Sequence, residues 1–486
     1  MQNSKKVTSN FFWRFLERTG AQGVTFVVSI VLARLLGPDP YGAVAIIMVF
    51  ISILQVFVDS GLGTALVQKK DADDLDFSTV FWFNVLSCTI LYFLLFFISP
   101  LIAQFYAMPE LKNTLRVLGL IIIVSGIKNI QQSYVSKNMQ FRKFFFSTLA
   151  GTIGAAIVGI ALAYCGFGLW ALIAQYLFNA VIDTLVLWIT VKWRPKLLFS
   201  LERLKNLLSF GWKLLVSALL DTIYRDLRSL VIGKIYTNAD LAYYNQGNKF
   251  PKTVVENINI SIDSVLLPAM SNIQDDKDSV KKMTRRAIKV STFCMMPLMV
   301  GLAVCATPIV SLLLTEKWLP CVFFLRIFCV TYAFYPLHTA NLNAIKALGR
   351  SDIYLKLEII KKIIGLIALA STMFISVEAM AVSLLVTSVL SQIINSWPNK
   401  KLLNYHYFEQ LKDILPQIVL SVFMGGIVYC VSIIGLNDVL TLLIQVPLGV
   451  LIYFVGSKLL HIDSYAYVIG IIKSLLSKRH ISKKNN

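Results

Sequence analysis

GAVAIIMVFISILQVFVDSGLGTAL, residues 42–66, is the stretch that decides the fold class of this 486-residue chain. Its single charged residue is Asp59, and apolar side chains occupy most of the other positions. A bilayer core about 30 Å thick is crossed by roughly 20 helical residues. The segment is therefore long enough to span a membrane as one helix, and it predicts a membrane protein rather than a soluble one.

Similar segments recur along the whole chain, and fourteen of them are candidate membrane crossings. Their predicted spans are 11–36, 42–66, 79–103, 114–135, 144–165, 169–191, 210–233, 250–270, 287–314, 320–345, 359–376, 379–396, 413–435 and 438–458. The composition agrees, since 57% of the residues are hydrophobic and 15% are charged, against about 25% charged residues in soluble domains. The mean hydropathy is +0.70. We predict an all-α polytopic membrane protein with about 14 transmembrane helices and no soluble catalytic domain.

The basic residues separate into two groups when the fourteen segments are taken as crossings. With the N-terminus on the cytoplasmic side, segments on that side carry 31 Lys and Arg, and segments on the other side carry five. This asymmetry follows the positive-inside rule and predicts that both termini are cytoplasmic. Topology therefore explains most of the formal net charge of +20, and no nucleic-acid partner is predicted.

An internal repeat appears at a shift of 200 residues, where VLARLLGPDPYG at 31–42 faces VIGKIYTNADLA at 231–242. The shift spans six crossings, an even number, as parallel transporter repeats require. We predict two pseudo-symmetric six-helix lobes and two C-terminal helices. The predicted boundaries are an N-lobe over 1–191, a cytoplasmic amphipathic linker helix over 192–209, a C-lobe over 210–396, helices thirteen and fourteen over 413–458, and a basic cytoplasmic tail over 459–486.

Two arginines of the seventh segment lie too deep to reach either surface easily. Arg225 and Arg228 are half to three-quarters of the way along it, where a basic side chain usually faces water or a partner. Asp221 precedes Arg225 by four positions, which is the spacing of an ion pair within one helix. One interpretation is a self-neutralised network that holds helices together. We favour the other, a cationic wall on a hydrated cavity.

Further polar residues in membrane segments complete the candidate site. The candidate cations are Arg14, Arg18, Lys128, Arg225 and Arg228. The candidate polar or coupling groups are Gln22, Asp221, Tyr224, Asp226, Glu256 and Asp263. Cations bind phosphate or carboxylate, and amide and hydroxyl side chains hydrogen-bond sugars, so this inventory favours a sugar phosphate as ligand. No catalytic residue, metal site or cofactor is predicted.

The acidic run DADDLD at 71–76 lies in a predicted cytoplasmic loop and is interpreted as a solvated turn. The four histidines are scattered without metal-ligand spacing, and no GxxxxGK[ST] phosphate loop is present. These observations do not indicate a metalloenzyme or an ATP-driven pump.

VLARLLGPDPYGAVAIIMVFISILQVFVDSGLGTALVQ at 31–68 resembles the opening of bacterial polysaccharide exporters of the PST family, which belongs to the MOP superfamily. LDFSTVFWFNVL at 75–86, QQSYVSKNMQFRKF at 131–144 and LAYYNQGNKFP at 241–251 add to this similarity. The resemblance implies a MATE-like bundle of two lobes around a central cavity that works by alternating access. It also implies a substrate, an oligosaccharide linked to undecaprenyl diphosphate, that crosses the bacterial cytoplasmic (inner) membrane. The implied partners are membrane lipids, glycosyltransferases and a glycan polymerase.

Other functions stay open from the sequence. A drug or cation antiporter of the same superfamily would use acids such as Asp226 and Asp263, but the charge at depth is mainly basic. A membrane glycan polymerase or glycosyltransferase would show a sizeable loop outside the membrane, and none is present. A purely structural scaffold would have little use for Arg225 and Arg228.

Overall fold

The structure is a computed structural model that describes residues 2–59, 61–470 and 473. The side chains of residues 2–12, 14, 15, 18, 210 and 261 lie outside this description. All regular secondary structure in the described residues is helical, which confirms the predicted all-α class. Two compact units, Met1–Ala242 and Tyr243–Asn486, divide the chain.

The first unit is built mainly from long apolar helices. They are α1 (Gln2–Leu36), α2 (Pro38–Asp59), α3 (Leu62–Gln68), α4 (Asp74–Phe105), α5 (Glu110–Lys137), α6 (Arg142–Tyr164), α7 (Leu169–Thr190) and α8 (Leu201–Ile235). α4 packs against α5, α6 packs against α7, and α8 packs against α2, α3 and α4.

The next helix, α9, starts just before the division between the units and continues into the second. The helices from here on are α9 (Asn238–Ser271), α10 (Lys277–Val304), α11 (Ala306–Leu314), α12 (Cys321–Ala333), α13 (Tyr335–Ala347), α14 (Ser351–Thr372), α15 (Val377–Leu402), α16 (Tyr407–Ile433) and α17 (Asp438–Leu459). Short helical structure also occurs at Glu316–Trp318 and over 463–470.

Helical structure is present at each of the fourteen predicted spans. Eleven stretches of the described residues are long and apolar enough to cross a membrane, or twelve if the bent α8 counts as one. α9 and α14 are not among them, because charged residues interrupt their apolar character. The structure thus has 11 to 12 candidate crossings, and the number fourteen stays a prediction.

The boundaries of two helix pairs agree with the repeat in the sequence. α1 and α8 each have 35 residues and end at Leu36 and Ile235, and α2 and α9 then begin at Pro38 and Asn238. By its contacts, however, α8 groups with the first unit, although the predicted C-lobe includes it. The predicted lobe boundaries follow from the sequence repeat. The two units are defined by contacts between residues, so they do not test those boundaries.

The predicted linker helix starts later than the sequence suggested. Residues 191–200 have no regular helix. Pro195 disfavours helical conformation in the residue before it, and the backbone instead bonds to α4, where Ser78 accepts from the Lys196 N–H (3.0 Å). The helix begins only after Ser200, whose side chain caps it by accepting from the Arg203 N–H (3.4 Å).

Once started, α8 bends by 51° between Leu201–Ser209 and Gly211–Ile235. Leu204 and Leu207 of the first part are buried in the core of the first unit, together with residues of α3, α4 and α5. The short first part therefore anchors the longer second part, which carries Arg225 and Arg228.

Candidate functional site

The later half of α8 carries a small polar group within the first unit. Ser52 of α2 donates a hydrogen bond to Asp226 (Oγ to Oδ2, 2.7 Å). The guanidinium of Arg225 lies beside the same carboxylate (Nε to Oδ1, 3.4 Å) and close to Thr222 (Nη2 to Oγ1, 3.5 Å). A serine from one helix thus positions an acid of another, and an arginine lies next to that acid.

The two charges of this group differ in exposure. The side chain of Arg225 is 61% exposed and that of Asp226 is 22% exposed. An exposed ion pair with one long contact is weak, and a guanidinium has five N–H donors. Arg225 therefore keeps most of its hydrogen-bonding capacity for a ligand.

The carboxylate beside Arg225 is that of Asp226, which Ser52 holds in place on the side of α2. The pairing of Arg225 with Asp221 that the helical spacing indicates stays a prediction. Asp221 is exposed, whereas Tyr224 and Arg228 are half-buried, and all three make further interactions.

The candidates on α1 are described only in part. The side chains of Arg14 and Arg18 lie outside the described residues, and Gln22 is exposed. Between them, Glu17 accepts a hydrogen bond from Thr148 of α6 (Oγ1 to Oε1, 3.4 Å). This part of α1 therefore packs against α6, and a meeting of the charged faces of α1 and α8 stays a prediction.

Lys128 of α5 forms an ion pair with Asp183 of α7 (Nζ to Oδ2, 3.0 Å). Their side chains are 20% and 16% exposed. The sequence analysis selected Lys128 and missed Asp183, although Asp183 is the lone charged residue in the apolar sequence of α7. A lone acid in a membrane helix is the signal that predicts such a partner.

The candidates on α9 both have polar partners in the second unit. Glu256 forms an i,i+4 ion pair with Lys252 (3.7 Å), and both side chains are exposed. Asp263 accepts a hydrogen bond from Asn343 of α13 (Nδ2 to Oδ1, 2.6 Å). Glu256 lies in an exposed pair, whereas Asp263 joins two helices.

Asp76, in the first turn of α4, is fully buried. Lys69 Nζ lies 2.6 Å from its carboxylate, and Arg203 Nη1 lies 3.1 Å from both of its oxygens. Asp73 and Asp76 also form a reciprocal capping box at the start of the helix. The interpretation of residues 71–76 as a solvated turn is therefore wrong for Asp76, because cations from two other segments neutralise it.

The family described as "Polysaccharide biosynthesis protein" matches residues 31–323, more than half of the chain. The chain belongs to this family. The PST-type membership inferred from residues 31–68 is thereby confirmed, and so is the prediction of a membrane protein of polysaccharide biosynthesis.

Relatives of this family member include two proteins whose names refer to bacterial polysaccharides. The succinoglycan biosynthesis transport protein ExoT of Rhizobium meliloti (strain 1021) is 28% identical over 317 residues, which are 65% of this chain and 64% of that protein. The lipopolysaccharide biosynthesis protein WzxC of Escherichia coli (strain K12) is 24% identical over 431 residues, which are 87% of this chain and 85% of that protein. The alignment with ExoT thus spans less than two thirds of that relative.

Among solved structures, the family member is similar to the lipid II flippase MurJ in an inward closed conformation. The TM-score is 0.74 and the sequence identity is 18%, with 94% of this chain and 99% of that chain covered. At this identity the likeness shows the fold alone. The chain therefore has the fold of a multi-pass flippase.

Proposed function

We propose that this protein flips undecaprenyl-diphosphate-linked oligosaccharide repeat units across the bacterial cytoplasmic membrane, for export of a surface polysaccharide such as O-antigen, capsule or exopolysaccharide. The family match over 31–323 supports a role in polysaccharide biosynthesis. The names of ExoT and WzxC, which refer to the transport of succinoglycan and to lipopolysaccharide, point to the same class of cargo. The protein moves this cargo by alternating access and makes or breaks no covalent bond.

The observation that carries the proposal is the exposed guanidinium of Arg225 in the second part of α8, which forms a candidate membrane span together with the first part. A basic group at such a depth is expensive unless it meets water or an anion. A diphosphate has several charged oxygens, and a guanidinium binds such oxygens in pairs, with strong charge-assisted hydrogen bonds. Arg225 therefore suits the diphosphate that links the lipid to the glycan.

The remaining candidate residues bind either the diphosphate or the sugars, according to their charge and hydrogen-bonding groups. Arg228, with Arg14, Arg18 and Lys128 as further candidate cations, adds positive charge along the diphosphate path. Gln22 and Tyr224 hydrogen-bond sugar hydroxyls, while the prenyl tail stays in lipid. With fourteen crossings and both termini cytoplasmic, lipid-linked units made by glycosyltransferases enter from the inner leaflet, and a glycan polymerase uses them after export.

In the described structure, the acids that an antiporter would use accept hydrogen bonds from neighbouring helices. Asp226 accepts from Ser52, and Asp263 accepts from Asn343. A coupling acid must be free to bind a proton or cation, whereas each of these two carboxylates already accepts a hydrogen bond from the protein. We therefore propose flipping of a lipid-linked glycan and no second function.

The test is the double variant Arg225→Ala/Arg228→Ala in a strain that lacks the chromosomal gene. We expect surface glycan, measured by lectin or antibody blot, to fall by about ten-fold or more, as for the loss of charge-assisted hydrogen bonds. Lipid-linked glycan should accumulate on the inner leaflet, which a membrane-impermeant glycosidase applied to inside-out vesicles detects.

A matched control is Arg326→Ala in α12, since Arg326 is also an exposed arginine of an apolar helix and bonds to Ala303 O (3.2 Å) and Thr307 (3.2 Å). It should export at the wild-type level. Equal membrane abundance of all variants, measured by immunoblot, excludes a failure of insertion. Undiminished export by the double variant would remove both arginines from the mechanism.

A further inference from the structure

Two adjoining cavities lie at the start of α10, within the second unit. Their volumes are about 400 and about 530 Å³. They share Lys282, Arg286, Val290 and Tyr467 in their linings. None of the candidate substrate residues described above lines either cavity. A function of this site is therefore independent of the proposed glycan path.

Part of the positive charge at the smaller cavity is neutralised by the protein. Arg285 lies 2.5 Å from Asp413, and Lys289 lies 3.2 Å from Asp463. Tyr405 also donates to Asp413 (2.8 Å), and its burial together with this bond raises the pKa of the Tyr405 hydroxyl. The phenol thus stays a neutral donor beside the carboxylate and adds no negative charge.

Lys282 and Arg286 differ from these two. They are one helical turn apart and exposed, and no carboxylate of the described residues forms an ion pair with either. Arg286 lies over the ring of Tyr467, at 5.3 Å from its centroid. Residues 471–486 contain no Asp or Glu side chain, so that segment offers neither cation a carboxylate side chain. Among the described residues, these two positive charges at the shared wall therefore have no carboxylate at ion-pair distance, and Asp276 attracts Lys282 only from further away.

The larger cavity continues from these cations along an apolar wall. The wall is formed by the end of α9 and by one side of α10. Its apolar lining consists of Ile262, Val265, Leu266, Ala269, Ile273, Met283, Ala287 and Val290. Val265 is 69% exposed, so the protein itself leaves this part of the wall uncovered.

A cavity with cations at one end and hydrocarbon along the other matches a lipid with a charged headgroup. Basic pockets between membrane helices on the cytoplasmic side bind anionic headgroups, and apolar wall area favours an acyl chain over water. The positive-inside distribution places this end of α10 on the predicted cytoplasmic side. We propose that the cavities form a binding site for one anionic phospholipid of the cytoplasmic leaflet, with its phosphate on Lys282 and Arg286.

The experiment uses the full-length protein in detergent, equilibrated with dioleoyl phosphatidylglycerol and analysed by native mass spectrometry. The variant Lys282→Gln/Arg286→Gln should bind this lipid about ten-fold more weakly, because each basic residue near a membrane surface contributes to the attraction of anionic lipid. The matched control is Lys400→Gln/Lys401→Gln, which removes the same charge from two exposed residues near the end of α15. This control should bind as the wild type does.

A second variant tests the apolar wall without changing charge. Ala269→Phe fills part of the larger cavity and should also weaken the binding of phosphatidylglycerol. The headgroup is tested separately: dioleoyl phosphatidylcholine should bind to the wild type more weakly than phosphatidylglycerol does. Equal binding of phosphatidylglycerol by the wild type and both variants would overturn the proposal. Tighter binding of undecaprenyl phosphate would overturn it in favour of a carrier-lipid site. Inorganic phosphate that binds as tightly as the lipid would overturn it as well.

Discussion

The two parts of α8 place the same kinds of side chain in different surroundings. Near its start, Arg203 meets Asp76, which is fully buried and also holds Lys69 at 2.6 Å. In its later half, Arg225 meets Asp226, which Ser52 positions, and the arginine stays 61% exposed. The first carboxylate is surrounded by cations and stabilises the fold, whereas the second leaves its arginine open to a ligand. Burial and the number of partners, rather than residue type, separate a structural ion pair from a candidate binding group.

If the Asp76 cluster is structural, its loss should have the largest effect on stability. Asp76→Asn removes the buried carboxylate that Lys69 and Arg203 share, and we expect a loss of about 3 kcal/mol in the free energy of unfolding. Chemical unfolding in detergent, followed by circular dichroism, measures it. Asp71→Asn is the control, since Asp71 is exposed in the same loop, and it should unfold as the wild type does. A wild-type unfolding curve for Asp76→Asn would show that burial of this acid does not stabilise the unit.

The carboxylate of Asp183, which pairs with Lys128, is 16% exposed and lies between those of Asp76 (0%) and Asp226 (22%) in exposure. Lys128→Met leaves Asp183 unpaired and should lower the free energy of unfolding by about 2 kcal/mol, whereas Lys128→Met/Asp183→Met should recover most of it, because an apolar pair needs no neutralisation. The double variant also decides the role of Lys128. Normal stability with reduced glycan export would assign Lys128 to the substrate, and normal stability with normal export would make the pair purely structural.

The smallest of these effects should distinguish Arg203 from Arg225, which lie in different parts of α8. Arg203→Gln should lower the free energy of unfolding by about 1 kcal/mol, since it removes one of two cations from a buried carboxylate. Arg225→Gln should change it by less than about 0.5 kcal/mol, because exposed pairs contribute little. The same unfolding assay measures both. A larger loss for Arg225 than for Arg203 would reverse the assignment of the two parts of α8.

Much of the fold was accessible from local sequence. The fourteen apolar segments coincide with helices because hydrophobic side chains in runs of about 20 residues favour helices that satisfy their own backbone. The linker helix predicted over 192–209 begins only at Leu201, because Pro195 and hydrogen bonds to α4 delay its start. Local spacing could not reveal those bonds, because their partners lie more than a hundred residues away.

The candidate site was accessible only in part. Arg225 and Lys128 were found because a basic residue inside an apolar segment is conspicuous. The sequence did not indicate the contact of Arg225 with Asp226 or that of Lys128 with Asp183. For the acidic run at 71–76, the composition predicts exposure to solvent, but the position of the run in the fold buries Asp76.

Hydropathy, a property of the chain alone, was enough for the helical class and the helix positions, since each residue contributes to it without regard to distant neighbours. The family followed from the resemblance of residues 31–68 to known exporters. The partner of each charge was decided only by tertiary structure. Ser52 and Asp226 are 174 positions apart, and hydrogen bonds and ion pairs act over a few ångströms in space whatever the separation along the chain.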